Sequence, residues 1–383
     1  MEEGTRNDDD ATADAVAAID LAAAADAPTA APTAAPTALP LNAGAPPIAA
    51  NYVGAEAAGV HVAHSTSAPG WIIGVQSLVA FMAETLELPP GKENEALLPE
   101  ISVDPDEFSL SVINTAHRRR CYNVTVGHEC EDAGGEALAQ GTCTSAGGET
   151  RACTSFVLVL EPRSTMDVCF INGIGTIDEL ELDSDVKDLP SRTAAAASAA
   201  AGDTAVPVGG GGAAAAAAGW DPARTYVFPL GGEGGPYRCS QGFGGQLTHF
   251  FPATYHAIDL ECDVGTPVLA VGAGVVCLSR DDGCVSGIHS GNLFCWNSLC
   301  LKLDDGYFAE YVHLQQGAQA VRLGERVEAG QLIAHSGAVG FCPTPHLHLQ
   351  LSASSSAKAS TVPFALTLTD GRTVFPVAGG SYS

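Results

Sequence analysis

Apolar and polar positions divide the 383-residue chain into stretches of different character. Residues 1–50 are mostly Ala, Pro, Thr and Asp, with Pro-Thr-Ala-Ala recurring between Pro28 and Pro36 and no apolar periodicity. A segment with no face to bury is expected to be a disordered tail. Between Asn51 and Asp185, short runs of Val, Ile and Phe stand between Gly, Asp and Pro; Phe156–Leu160 and Val168–Ile171 are two of them. That pattern predicts short strands. The longest apolar run, Trp71–Ala83, falls short of the roughly twenty residues a bilayer span requires. It therefore reads as a buried helix or strand, and no membrane span is expected. Residues 186–219 are Ala/Gly-rich, include Gly209–Gly212, and read as a linker. From 220 to 383 dense strand-and-turn text returns. The expected chain is mainly β: a tail over 1–50, a β-rich module over 51–185, the linker, and a second domain over 220–383.

Composition adjusts this picture in three ways. Ala-rich runs inflate the 46% hydrophobic fraction while aromatics are only 6%, so part of the chain lacks the bulk to build a core. Seventeen basic against forty-four acidic residues leave a net charge of −27, which argues against nucleic acid and anionic membrane surfaces as partners. The twelve cysteines include no Cys-x-x-Cys pair and are read as disulfides, which suits a secreted or extracytoplasmic location. Five lie between Cys121 and Cys169 and seven between Cys239 and Cys342, so full oxidation needs a bridge between the two groups. Met1–Asp20 contains no apolar signal core. Asn123-Val124-Thr125 matches an N-glycosylation acceptor, and Arg118-Arg119-Arg120 a processing site. His61 and His64 lack a third ligand candidate nearby and are read as surface residues.

Candidate chemistry concentrates downstream. Thr248-His249, Tyr255-His256-Ala257-Ile258-Asp259, Tyr311-Val312-His313-Leu314 and Pro345-His346-Leu347-His348-Leu349 embed His and Asp in strand-like text. The period-two rule puts His346 and His348 on one face of a strand and Leu347 on the other. With a carboxylate and a further His, such a pair gives a tetrahedral zinc site with one position open to water.

The ordered series Tyr226–Leu230, Ser240-Gln241-Gly242-Phe243, Asp259-Leu260, Gly265–Val268, Gly274–Val276, His313-Leu314, Gly330-Gln331, Ser336-Gly337 and His346-Leu347-His348 resembles the lysostaphin/LytM-like zinc metallopeptidases. The resemblance covers about residues 225–352. It implies an antiparallel β-sheet with the metal in a groove, Asp259 and His348 as zinc ligands, and His313 and His346 as catalytic histidines that do not bind the metal. For the third ligand, one branch of the family places a His four residues before the Asp, where this chain has Tyr255. Another has a Ser/Thr-His dipeptide further upstream, which Thr248-His249 matches. His256 is three residues from Asp259, an offset that points to the opposite face of an extended strand. His249 is therefore the expected ligand, with His256 the alternative if a β-bulge intervenes.

The activity this resemblance implies is zinc-dependent hydrolysis of peptide bonds in peptidoglycan stems or cross-bridges, on Gly-rich or D-amino-acid peptides. The family also contains inactive members, so a binding module on the same fold is the alternative. The Cys-rich excursion between Cys277 and Cys300 is expected to reshape one groove wall, and Cys342 to brace the loop entering the site. His289 and His335 are read as surface or satisfied residues. The module over 51–185 is open to three roles: inhibitory prosegment, wall-targeting domain or spacer. The oligomeric state is not legible.

Overall fold

A computed structural model of the chain describes residues 52–65, 100–190, 224–356 and 359–383. The expectations for 1–50, Trp71–Ala83 and Gly209–Gly212 lie outside the described residues. The regular secondary structure of the described residues is almost entirely strand, with three single-turn 3-10 helices. It belongs to one compact unit, and among the described residues no helix is long and apolar enough to cross a membrane.

The upstream strands form a sandwich. In one sheet, Gly141–Thr144, Thr150–Leu160, Arg120–Val126 and Leu182–Asp188 are antiparallel neighbours, and Val60–His64 runs parallel to Thr150–Leu160. The other sheet contains Ile101–Val103, Ser109–Asn114, Ser164–Ile171 and Cys130–Glu131. Between them lie Leu110, Val112, Tyr122, Val124, Phe156, Leu158 and Leu160. The run Phe156–Leu160 does not alternate with polar residues because both of its faces are covered. Phe156, Leu158 and Leu160 enter the sandwich, while Val157 and Val159 pack outward against Leu247, Leu293 and Phe341 of the downstream half. Strands buried on both sides read as continuous apolar text for this reason.

Several local readings are corrected here. Asn123 is 3% exposed in a strand paired on both sides, so no glycan can be accommodated on it. Arg118, Arg119 and Arg120 are not an open processing site. They pair with Asp188, Glu161, and Glu100 together with Asp188, at the start of a central strand. The last upstream strand continues past 185 to Asp188, because Arg120 and Cys121 give Asp188 and Lys187 register partners. Most of the twelve cysteines are buried, and Cys130 lies beside Cys169, Cys143 beside Cys153 and Cys277 beside Cys300. His61 and His64 are not surface residues: His61 donates to the Ala139 carbonyl and His64 to that of Gln246. Three apart on one strand, they face opposite ways and cannot share an ion.

The downstream half is built on an eight-stranded antiparallel sheet. Its spatial order is Arg326–Val327, Gly274–Arg280, Ser298–Leu303, Phe308–Val312, His346–Ser352, Ile258–Glu261, Tyr237–Gln241 and Ser381–Tyr382. One face carries the main core, including Ile258, Leu260, Leu299, Leu301, Tyr311, Leu347, Leu349 and Leu351. Alternation in the three middle strands then turns Asp259, His346 and His348 to the opposite face.

Candidate metal centre

Register alone assembles half of the site. Asp259 lies directly across from His348, and Val312, the residue before His313, lies on His348's other side. His313 leaves its strand with a φ of 63°, a left-handed conformation costly for a side chain with a Cβ. Its carbonyl meets Gly337, where an added Cβ would stand 2.8 Å from that oxygen and 2.6 Å from the Gln315 nitrogen. Asn297, fully buried, donates to the Leu314 carbonyl and accepts from Gly283 N–H. These contacts fix the corner that presents His313.

His249 arrives on a loop rather than a strand, and Gln241 holds that loop. Gln241 Oε1 accepts from the backbone N–H groups of Leu247, Thr248 and His249 at 3.1, 2.9 and 3.3 Å. Its Nε2 donates to Asp259 Oδ2 at 2.8 Å and to Thr248 Oγ1. One buried amide thus ties the loop to the carboxylate.

Three donor atoms converge: His249 Nε2 to His348 Nδ1 is 3.3 Å, His249 Nε2 to Asp259 Oδ1 is 3.3 Å, and His348 Nδ1 to Asp259 Oδ1 is 2.9 Å. A tetrahedral zinc with bonds of about 2.0–2.1 Å to nitrogen and oxygen sets its donors about 3.3 Å apart. The hydrogen bonds of the far nitrogens decide which atoms carry lone pairs. His249 Nδ1–H donates to the Gly242 carbonyl. His348 Nε2–H donates to Gln350 Oε1, and Gln350 in turn donates to Glu310. Each ring therefore aims an unprotonated nitrogen at the other and at a carboxylate oxygen. Such a cluster is repulsive without a cation, and the donor set fits zinc.

Two further histidines flank the cluster. His313 Nδ1–H donates to the Val339 carbonyl at 2.7 Å, and His346 Nδ1–H to the Thr344 carbonyl at 2.7 Å. Each therefore has Nε2 left for other work, and that of His346 lies 3.6 Å from Asp259 Oδ1. The two rings are 4.5 Å apart. All five side chains are buried, His348 the most exposed at 8%. Burial pushes the Asp259 carboxyl up, but the imidazoles of His249, His346 and His348 around it hold it well below the usual carboxylate range. Burial pushes His249 down, partly opposed by Asp259. Burial and then the His346 and His348 charges push His313 well down. Burial also disfavours charge on His346, but Cys342, Asp259 and the Thr344 carbonyl outweigh it and raise the group to about 10.

The remaining candidates stand outside this cluster. His256 lies in the turn before the strand Ile258–Glu261, so its offset from Asp259 is not an offset along a strand. Its ring meets the Thr361 carbonyl through Nδ1 and packs edge-on against Phe243. His289 bonds to Asp183 and His335 to the Ala318 carbonyl. Cys342 Sγ lies 3.3 Å from His346 Nδ1. The excursion between Cys277 and Cys300 forms a wall beside His313, with the Trp296 ring 6.1 Å from the imidazole. Sequence reasoning missed Gln241, Gln350, Asn297 and Trp296. Gln241 sat in the matched text Ser240–Phe243 but had no role there.

Residues 253–360 match the family model described as Peptidase family M23. The chain is 31% identical to glycyl-glycine endopeptidase ALE-1 of Staphylococcus capitis over 30% of this chain and 29% of that protein. It is 34% identical to peptidoglycan DD-endopeptidase ShyC of Vibrio cholerae over 30% and 24% of the two chains. It is 29% identical to lysostaphin of Staphylococcus simulans over 33% and 24%. The matched region thus spans less than a third of each relative.

Proposed function

Since the chain carries a peptidase family M23 domain over residues 253–360, we propose that it is a zinc-dependent endopeptidase acting on Gly-rich or D-amino-acid peptides of peptidoglycan. The observation that carries this is the convergence of three lone pairs, from His249, Asp259 and His348, beside two buried histidines that lie outside that donor group. The names of the relatives support the substrate class, since they specify glycyl-glycine bonds and peptidoglycan. Such a substrate places the enzyme outside the cytoplasm. It also suits a division into the expected upstream module and a peptidase domain from 220 onward.

In this mechanism His249, Asp259 and His348 hold the metal. Bound zinc supplies a Lewis acid that acidifies water and polarises a carbonyl. The two remaining histidines divide the proton work because their surroundings push them apart. His313, kept neutral by burial and its imidazole neighbours, has Nδ1–H committed to Val339 and accepts the proton of the attacking water at Nε2. His346, held toward its charged form, donates from Nε2 to the developing oxyanion or the leaving amine.

The burial of all five side chains favours a second reading, a peptidase-fold module that binds without turnover. Zinc per chain and turnover of peptidoglycan and pentaglycine, measured on wild type, His249→Ala, His256→Ala and His348→Ala, separate the two. The endopeptidase binds one zinc, loses it with His249 or His348 and keeps it without His256. A zinc-loaded wild type with no turnover is the binding module.

A further inference from the structure

The catalytic groove has two walls, and the upstream strands grip both. On the metal side, Val53 N–H donates to the Ser240 carbonyl at 2.7 Å, and Tyr52 bridges to Gln241, the residue that holds the ligand loop. His64 donates to the Gln246 carbonyl at 2.9 Å, three residues before His249, and its ring stands edge-on to Phe250 at 5.3 Å. Leu247, Phe250 and Phe251, on either side of His249, pack with Ala55, Val60, Val157 and Val159. The loop is thus fastened by its backbone and its apolar side chains, while the His249 ring turns inward to the metal.

On the His313 side, Ser286 and Gly287 pair as a strand with Thr144 and Cys143. Ser290 N–H donates to Thr125 Oγ1, Ser155 Oγ donates to the Ile288 carbonyl, and His289 meets Asp183 at 2.9 Å. The same excursion continues to the catalytic histidine: Ser286 bridges to Val339, whose carbonyl fixes His313 Nδ1, and Gly340 N–H donates to Val285. An added Cβ at Gly287 would lie 2.0 Å from the Thr142 carbonyl, so the seam has no slack.

From this we infer that the upstream strands are a built-in clasp that positions both walls of the site, with His64 and Ser155 as positioning residues. This rests on the reading of the metal centre above. A removable inhibitor would contact the metal ligands themselves, whereas these contacts fall on the backbone and apolar flanks of the segments carrying His249 and Val339.

The test uses the full chain as wild type, His64→Ala, Ser155→Ala and a control, Val112→Ala, which opens the sandwich core away from the seam. Amide hydrogen exchange on the metal-free protein and zinc affinity by chelator competition are both measured. His64→Ala is expected to speed exchange at Leu247, Thr248 and His249 and to weaken zinc about 10-fold, the lower end for partners that orient a ligand. Ser155→Ala is expected to speed exchange at Gly340 and Phe341 and leave zinc affinity unchanged. Val112→Ala should lower the melting midpoint without either effect. Unchanged exchange in His64→Ala and Ser155→Ala, or equal loss of zinc in Val112→Ala, overturns the clasp. A wild type that binds no zinc sinks the proposed function, and the exchange results still decide the clasp.

Discussion

Gln241 shows how much of a metal site can depend on a residue that never touches the metal. Its amide accepts three backbone N–H groups and donates to the free oxygen of Asp259, so it sets both the loop and the carboxylate. Gln241→Leu keeps the bulk and deletes these bonds; zinc affinity measured by competition should fall roughly 10- to 100-fold. His313→Ala and His346→Ala should instead keep stoichiometric zinc and lose about 10²- to 10⁴-fold in kcat, the usual share of a proton-transfer group. A drop in zinc content with either variant would place that histidine among the ligands. The residues whose placement was legible in the sequence have a local signature, such as the period-two pair His346 and His348. Gln241 has none, because its partners are six to eighteen positions away and become neighbours only once the loop has closed.

The strand His346–Ser352 shows how one element serves both stability and chemistry. Leu347, Leu349 and Leu351 are fully buried on one face, and His346 and His348 occupy the other. Leu347→Ala should cost about 2–5 kcal/mol of unfolding free energy, as truncation of a buried Leu does. Denaturant titration of the zinc-loaded protein would read it, and a loss under 1 kcal/mol would contradict the packing described. Gly337→Ala should destabilise by roughly 1–3 kcal/mol, because its Cβ would meet the His313 carbonyl. These strands were readable from alternation and turn residues. Phe156–Leu160, the second half of the upstream strand Thr150–Leu160, was readable as a strand, but what covers its second face was not. Nothing near Val157 in the sequence points to Leu247 or Leu293, which pack against it from the other half of the chain.

At the scale of the whole molecule, metal binding at this site would be coupled to folding, because the donors come from a loop and two strands that exist together only in the native state. Zinc at a thousand times its dissociation constant should stabilise the fold by about 4 kcal/mol. The melting midpoint should therefore rise with zinc in wild type and not in His348→Ala, and a chelator should reverse the rise. The mainly β character was evident from the sequence, and so was the antiparallel sheet that the family resemblance implied. Which cysteines are neighbours was not legible from counting: abundance says nothing about what each sulfur packs against, and most of these lie among apolar side chains.

The direct opposition of Asp259 and His348 has a consequence for how errors in folding are detected. Side chains alternate, so sliding one of these strands past the other by a single residue would set His348 against Ile258 or Leu260 and turn one of the two donors into the core. A chain trapped in that arrangement would retain most of its backbone pairing yet have no place for the ion. Metal uptake at this site would thus act as a proofreading step, adding its binding energy only to molecules whose central strands have met in the correct frame.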